Sequence, residues 1–181
     1  MTAPPSLAGL LGIGDDEPRD LLDALRASGH TVAAAESLTA GLLTALLTEV
    51  PGSSDVVRGG LVVYATELKT ELAGVSAELL AERGAVDPQV AVELARGARD
   101  RCAASIGVGL TGVAGPNQQD GVPAGVVHVA VVTHGRDGDE VVRAVRLAER
   151  ADRSGVRAAA VRAALSLVSG LVTDSGTVAL R

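Results

Sequence analysis

Apolar positions along this chain fall into short blocks divided by turn residues. Leu21, Leu22, Ala24 and Leu25 form one face of a helix that opens on Asp16-Glu-Pro-Arg-Asp20 and stops at Gly29. Early acids with Pro18 suit a helix start, and glycine suits its end. Residues 31–35 are an unbroken apolar run, read as a buried strand. A turn at 36–41 leads to an apolar helix at 42–50, closed by Pro51-Gly52. Residues 60–65 read as the next strand, 67–72 as a helical turn and 76–82 as a second short helix. Asp87-Pro88 caps a long helix through Arg101.

The second half starts with a strand at 104–110 and a glycine-rich loop, Thr111-Gly-Val-Ala-Gly-Pro116, extended by the polar stretch 117–123. Two strands follow at 125–133 and 140–147, and the short polar link between them favours an antiparallel hairpin. Residues 152–171 have apolar positions at helical spacing. Strands alternating with helices predict a three-layer α/β/α domain; its sheet is expected to be mixed, mostly parallel, with an antiparallel C-terminal hairpin. Residues 1–14 read as a flexible leader, 15–172 as the domain and 173–181 as a tail.

Composition narrows the field. One cysteine, Cys102, gives neither a disulfide framework nor a cysteine zinc site and fits a reducing cytosol. No run longer than 18 residues is free of charge, and the one of that length, 102–119, holds Pro116 and a polar end, so no membrane-spanning helix is expected. The N-terminus lacks the basic start of a signal peptide. A net charge of −6 with a single aromatic residue lacks the basic patch and stacking rings of a nucleic-acid binder. That aromatic is Tyr64, and five residues on stands Lys69, the one lysine among 16 basic residues. An amine retained where arginine serves elsewhere marks a place where a proton must be lost, or a leftover surface residue.

Three segments carry polar groups at the carboxyl ends of expected strands, where open α/β sheets bind ligands. They are Glu36-Ser37-Leu38-Thr39-Ala40-Gly41, the Tyr64/Lys69 pair, and Thr111 to Pro116. Ser37 is either a helix cap or a nucleophile whose oxyanion is held by helix-start amides. A serine nucleophile needs a base. His30 and His134 sit at element ends and His128 within a strand, and all three read as structural or solvated; none has metal-ligand spacing, and no metal site is expected. Lys69 is the base if burial lowers its pKa, or else a solvated lysine beside Glu67 and Glu71. Tyr64 either bonds the lysine or the serine, or is an ordinary half-buried strand residue. The glycine loop is either a tight turn or a backbone cradle for phosphate or carboxylate.

Taken together, "TVAAAESLTAGLL", "PGSSDVVRGGLVVYATELKTELAGV", "ERGAVDPQVAVELARGAR" and "LTGVAGPNQQDGVPAGVVHVAV" resemble, in order and spacing, the C-terminal domain of the CinA family. That family includes stand-alone nicotinamide-mononucleotide amidohydrolases. The resemblance runs from about 20 to 171. It implies hydrolysis of the nucleotide's carboxamide to nicotinate mononucleotide and ammonia, in pyridine-nucleotide recycling, with neither metal nor cofactor. It implies Ser37 as nucleophile, Lys69 as base and Tyr64 as its partner. Thr39, Gly41, Thr111, Gly112 and Gly115 are then expected to shape the oxyanion and substrate pocket. It also implies a cytoplasmic homo-oligomer. The chain departs from the family's AESCTGG turn at Leu38 and Ala40, and has Ala151 where a glycine precedes Asp-Arg. The family's Asp-Arg followed by a further Arg is matched by Asp152-Arg153 and Arg157, and the resemblance implies Arg153 as a candidate substrate-binding residue. The altered turn leaves a second reading open: a non-catalytic module of the same fold that binds pyridine nucleotides or a partner.

Overall fold

A computed structural model describes residues 5–135 and 137–176. Among the described residues, seven α-helices flank a five-stranded sheet. In chain order they are α1 (Leu7–Leu10), α2 (Glu17–Ser28), β1 (Val32–Glu36), α3 (Leu42–Thr48), β2 (Val57–Val62), α4 (Thr66–Ala73), α5 (Ala77–Arg83), α6 (Pro88–Arg101), β3 (Ile106–Gly112), β4 (Val126–His134), β5 (Glu140–Ala148) and α7 (Arg153–Gly176). The spatial order is β2-β1-β3-β4-β5. Strand β1 pairs in parallel with both β2 and β3, while β3–β4 and β4–β5 are antiparallel. Four strands thus run one way and β4 alone runs against them, as expected of a mostly parallel sheet ending in a hairpin.

The sheet has two differently covered faces. Val32 and Ala34 of β1, with Ile106, Val108 and Leu110 of β3, pack against Leu21, Leu22 and Leu25 of α2, Leu43 and Leu46 of α3, and Val161, Leu165 and Val168 of α7. On the opposite face Ala33 and Ala35 meet Ala73 of α4 and Val90, Leu94 and Ala98 of α6. This is the three-layer arrangement in which the inner strands β1, β3 and β4 bury both sides, while the edge strands β2 and β5 alternate partly buried and exposed positions. Without Phe or Trp, close approach replaces bulk. A Cβ on Gly107 or Gly109 would lie 1.9 or 2.0 Å from the carbonyl oxygens of Ala95 and Ala91, so α6 rests directly on the backbone of β3.

Several boundaries differ from the sequence pattern. Strand β2 starts at Val57, through Gly59 and Gly60, and ends at Val62. Glycine disfavours strands in isolation. Here Gly60 is required, because a Cβ there would come within 2.1 Å of Thr44 Oγ1. Strand β3 runs on through Thr111 and Gly112, which pair with His128 and Val127 of β4. The segment expected to be a loose leader carries α1, capped by Ser6 Oγ accepting from the Gly9 amide. It also places Ala8 and Ile13 in the core. Helix α7 extends past the expected end at 171, and residues 177–181 of the expected tail lie outside the described residues. By length and composition Arg153–Thr173 would suffice to cross a bilayer, but 56% of its most apolar stretch is buried, as in a core helix.

Candidate active site

The carboxyl ends of β1, β2 and β3 open on a cleft of about 600 Å³. Ser37, Tyr64, Lys69, Thr111, Gly112, Gly115 and Arg153 all face it, so the three separate segments meet in one place. Thr39 and Gly41 do not line it. Thr39 is fully buried beneath the serine turn, and Gly41 occupies the N-cap position of α3 with φ +94°. Both shape the turn from below.

Ser37 directly follows β1 and is 7% exposed. Its amide donates to the Leu110 carbonyl (3.0 Å), and its own carbonyl accepts from the Ala40 amide (3.1 Å). Its hydroxyl has no hydrogen-bond partner among the described residues. The cap reading of Ser37 is therefore corrected. Helix α3 is capped by the buried carboxylate of Glu36, which accepts from the amides of Gly41 (3.1 Å), Leu43 (3.1 Å) and Thr44 (2.9 Å) and from Thr44 Oγ1 (2.8 Å). An anion at a helix N-terminus is stabilised by the free amides and the aligned dipoles. It also consumes them, so the α3 amides are not available to an oxyanion. The amides of Leu38 and Thr39 have no partner among the described residues, and Leu38 lines the cleft. Replacing Glu36 by Ala leaves these donors buried and unpaired. Glu36→Ala is expected to cost roughly 3 kcal/mol of stability, read from urea unfolding; a cost below about 1 kcal/mol would contradict this role.

The turn contains a residue in an unusual conformation. Ala40 has φ +50°, in the left-handed region that favours glycine. A side chain there costs about 1–2 kcal/mol, partly offset by the lower chain entropy of alanine. Ala40→Gly is expected to stabilise the domain by about 0.5–1 kcal/mol, seen as a higher urea midpoint at unchanged slope. The turn closes with its hydrogen bonds intact around Ala40, so the departure from glycine strains the backbone without opening it.

Lys69 comes from the first half of α4 and is 1% exposed. That corrects the solvated reading. Its Nζ donates to the carbonyl of Val63 (2.9 Å), with longer approaches to those of Tyr64 (3.4 Å) and Ala65 (3.5 Å). Burial pushes its pKa below the ordinary lysine value, and Glu67 opposes this in part. Tyr64 lies two residues beyond β2 and is 60% exposed. Its hydroxyl bonds neither serine nor lysine, but accepts from Arg153 Nη2 (3.2 Å). Lys69 meets Tyr64 only at its backbone. Among the described residues no hydrogen bond joins the side chains of Ser37, Lys69 and Tyr64.

The far wall is the glycine loop. Thr111 Oγ1 donates to the Ala85 carbonyl (2.6 Å), which ties the segment carrying Ala85 and Val86 over the cleft. A Cβ on Gly112 would sit 2.7 Å from the Val126 carbonyl, so only glycine lets β4 approach there. Gly115 has φ +89°, and its carbonyl accepts from Arg153 Nη1 (2.9 Å). Arg153 thus spans the cleft mouth from the glycine loop to Tyr64. None of the three histidines lines the cleft. His30 Nδ1 pairs with Ser105 Oγ (3.0 Å), and burial and Arg146 hold His128 below the ordinary histidine range against an opposing pull from Asp87.

Fold and site together define a class: an open α/β/α domain whose crevice sets a serine turn against a buried lysine. Residues 16–172 match the model of the CinA C-terminal domain. A CinA-like protein of Frankia casuarinae is 45% identical over 162 residues, covering 89% of this chain and 36% of the relative. One of Anaeromyxobacter dehalogenans is 47% identical over 161 residues, covering 88% of this chain and 38% of the relative. The chain therefore spans little more than a third of these relatives. Among solved structures, the competence/damage inducible protein CihA of Agrobacterium tumefaciens superposes with a TM-score of 0.79 at 34% identity, over 94% of this chain and 99% of that one. A CinA superfamily protein of Klebsiella pneumoniae gives 0.80 at 29% identity, over 88% and 98%. The chain belongs to the CinA C-terminal domain family.

Proposed function

We propose that this domain hydrolyses the carboxamide of nicotinamide mononucleotide, releasing ammonia and nicotinate mononucleotide. The observation that carries the reading is the chain's one lysine, buried with its amine against backbone carbonyls in the wall of the cleft that Ser37 faces. A cation held out of water without a carboxylate partner is poised to lose its proton.

In this mechanism Ser37 Oγ attacks the carboxamide carbon and neutral Lys69 Nζ takes the hydroxyl proton. The amine keeps its bond to the Val63 carbonyl as a donor and offers its lone pair to the serine. The two side chains come together through one bridging water or through rotation of Ser37, as catalytic contacts often tighten only around substrate. The tetrahedral oxyanion is held by the unpaired amide of Leu38, which borders the cleft. Lys69 returns its proton to the departing amine, which leaves as ammonia. Water then cleaves the acyl-serine ester, with Lys69 again as base. Arg153, at the cleft mouth, supplies a planar cation for the substrate phosphate. Tyr64 holds that guanidinium and presents an exposed ring beside the entrance.

The test is ammonia release from nicotinamide mononucleotide, compared between the wild-type chain and Ser37→Ala. The reading requires release by the first and none above background by the second.

A further inference from the structure

The serine turn is gripped from two sides by opposite charges. Glu36 takes the amides at its exit, as described above. On the other side Arg157, one turn into α7, donates from Nε to the Leu38 carbonyl (3.0 Å) and from Nη2 to the Thr39 carbonyl (2.9 Å). A planar guanidinium fork fits two successive carbonyls in a way that a single ammonium cannot. Among the described residues no ion pair joins Glu36 and Arg157, so each charge is spent on the turn. A trans peptide sets each carbonyl opposite the next amide. Fixing the Leu38 carbonyl therefore fixes the direction of the unpaired Thr39 amide. The adjoining Leu38 amide belongs to the plane whose carbonyl, that of Ser37, is held by Ala40. Arg157 does not itself line the cleft.

We propose that Arg157 is a positioning residue for the reaction, holding the Ser37 turn so that its free Leu38 amide, which borders the cleft, faces the developing oxyanion. The inference rests on the amide hydrolysis proposed above. Such a residue acts on the transition state more than on substrate binding. Replacing it lowers kcat and leaves KM nearly unchanged, and a displacement of the turn by about 1 Å costs on the order of 10²-fold.

The experiment measures kcat and KM for ammonia release from nicotinamide mononucleotide in wild type, Arg157→Met and Arg157→Lys, each with its thermal midpoint and pH profile. Expected for Arg157→Met is a kcat lower by on the order of 10²-fold, KM within about twofold and a wild-type pH profile, because Lys69 is untouched. Arg157→Lys is expected to recover part of the loss, to within about tenfold of wild type, since an ammonium holds one carbonyl at a time. A merely structural arginine would lower the midpoint and leave kcat per folded molecule intact. Wild-type kcat in a folded Arg157→Met overturns the proposal while the amidase reading stands. Should Arg157→Met not fold, Arg157→Lys decides: wild-type kcat overturns the proposal, and a reduced kcat at unchanged KM supports it. Absence of ammonia release by the wild type itself overturns both.

Discussion

Replacing Lys69 by Met is expected to lower kcat/KM for amide hydrolysis by about 10³-fold or more while the domain stays folded. Methionine fills the same buried channel with nearly the same length and removes an amine that burial disfavours in its charged form. Because the folded-state pKa of Lys69 is lowered, the native state binds its proton less readily than the unfolded chain does. The destabilisation is fully present below the lowered pKa and is relieved as pH rises from it toward the ordinary value of 10.5. Lys69→Met is therefore expected to be most stabilised relative to wild type on the acid side of that window and least so near its top. Wild-type activity should follow the same titration, rising with pH as the amine deprotonates. Lys69→Arg restores a cation of a kind that cannot give up its proton in a protein, and places a bulkier group in the channel. It too is expected to be inactive, at a lower thermal midpoint. Substantial turnover in either variant would remove the lysine from the chemistry.

Ser37→Ala is expected to abolish turnover, by at least about 10³-fold, while leaving stability within about 0.5 kcal/mol of wild type. The second half of that expectation follows from geometry. The hydroxyl caps no helix and has no hydrogen-bond partner among the described residues, so its removal breaks nothing in the fold. A nucleophile with no structural task separates activity from stability cleanly. A large loss of stability would return Ser37 to a structural role, and calorimetry of the purified variant decides it.

That Ser37 and Lys69 line one cleft was legible in the sequence only through their company. Ser37, Lys69 and the Thr111 loop were each placed at a strand's carboxyl end by hydrophobic pattern, and the parallel run β2-β1-β3 brings them together. The burial of Lys69 was not legible, because Glu67 and Glu71, which suggested a solvated helix face, flank a position that α4 turns into the core. Helix periodicity over one short segment does not say which face is buried. The helix cap was misread because a serine before an apolar helix is the usual local signal. The helix starts at Leu42, as the apolar pattern places it, with Gly41 rather than Ser37 at its N-cap, and the acid at the end of β1 reaches forward to its amides. Only the parallel strand–turn–helix geometry puts Glu36 there.

Tyr64 and Arg157 were hidden for a different reason. Their partners lie far off along the chain: Arg153 for the tyrosine, and the carbonyls of residues 38 and 39 for the arginine. Hydrogen bonds of such separation leave no periodic trace. The glycines of β3 and α6 behaved likewise. Glycine in isolation weakens a helix or strand, whereas a Cβ at Gly97, Gly107 or Gly109 would clash with the backbone of the neighbouring element. In a chain whose one aromatic is exposed at the cleft mouth, tight layering of this kind sets the distance between α6 and the sheet.

The central claim is that Ser37, activated by the buried amine, cleaves a nucleotide carboxamide. It is tested most directly by following ammonia and nicotinate mononucleotide together, from nicotinamide mononucleotide, with wild type and Ser37→Ala at equal folded concentration. Equal amounts of both products from wild type, and neither from Ser37→Ala, is the predicted result. Tight binding of the nucleotide by both proteins with no product from either would contradict the claim and leave a binding module in its place.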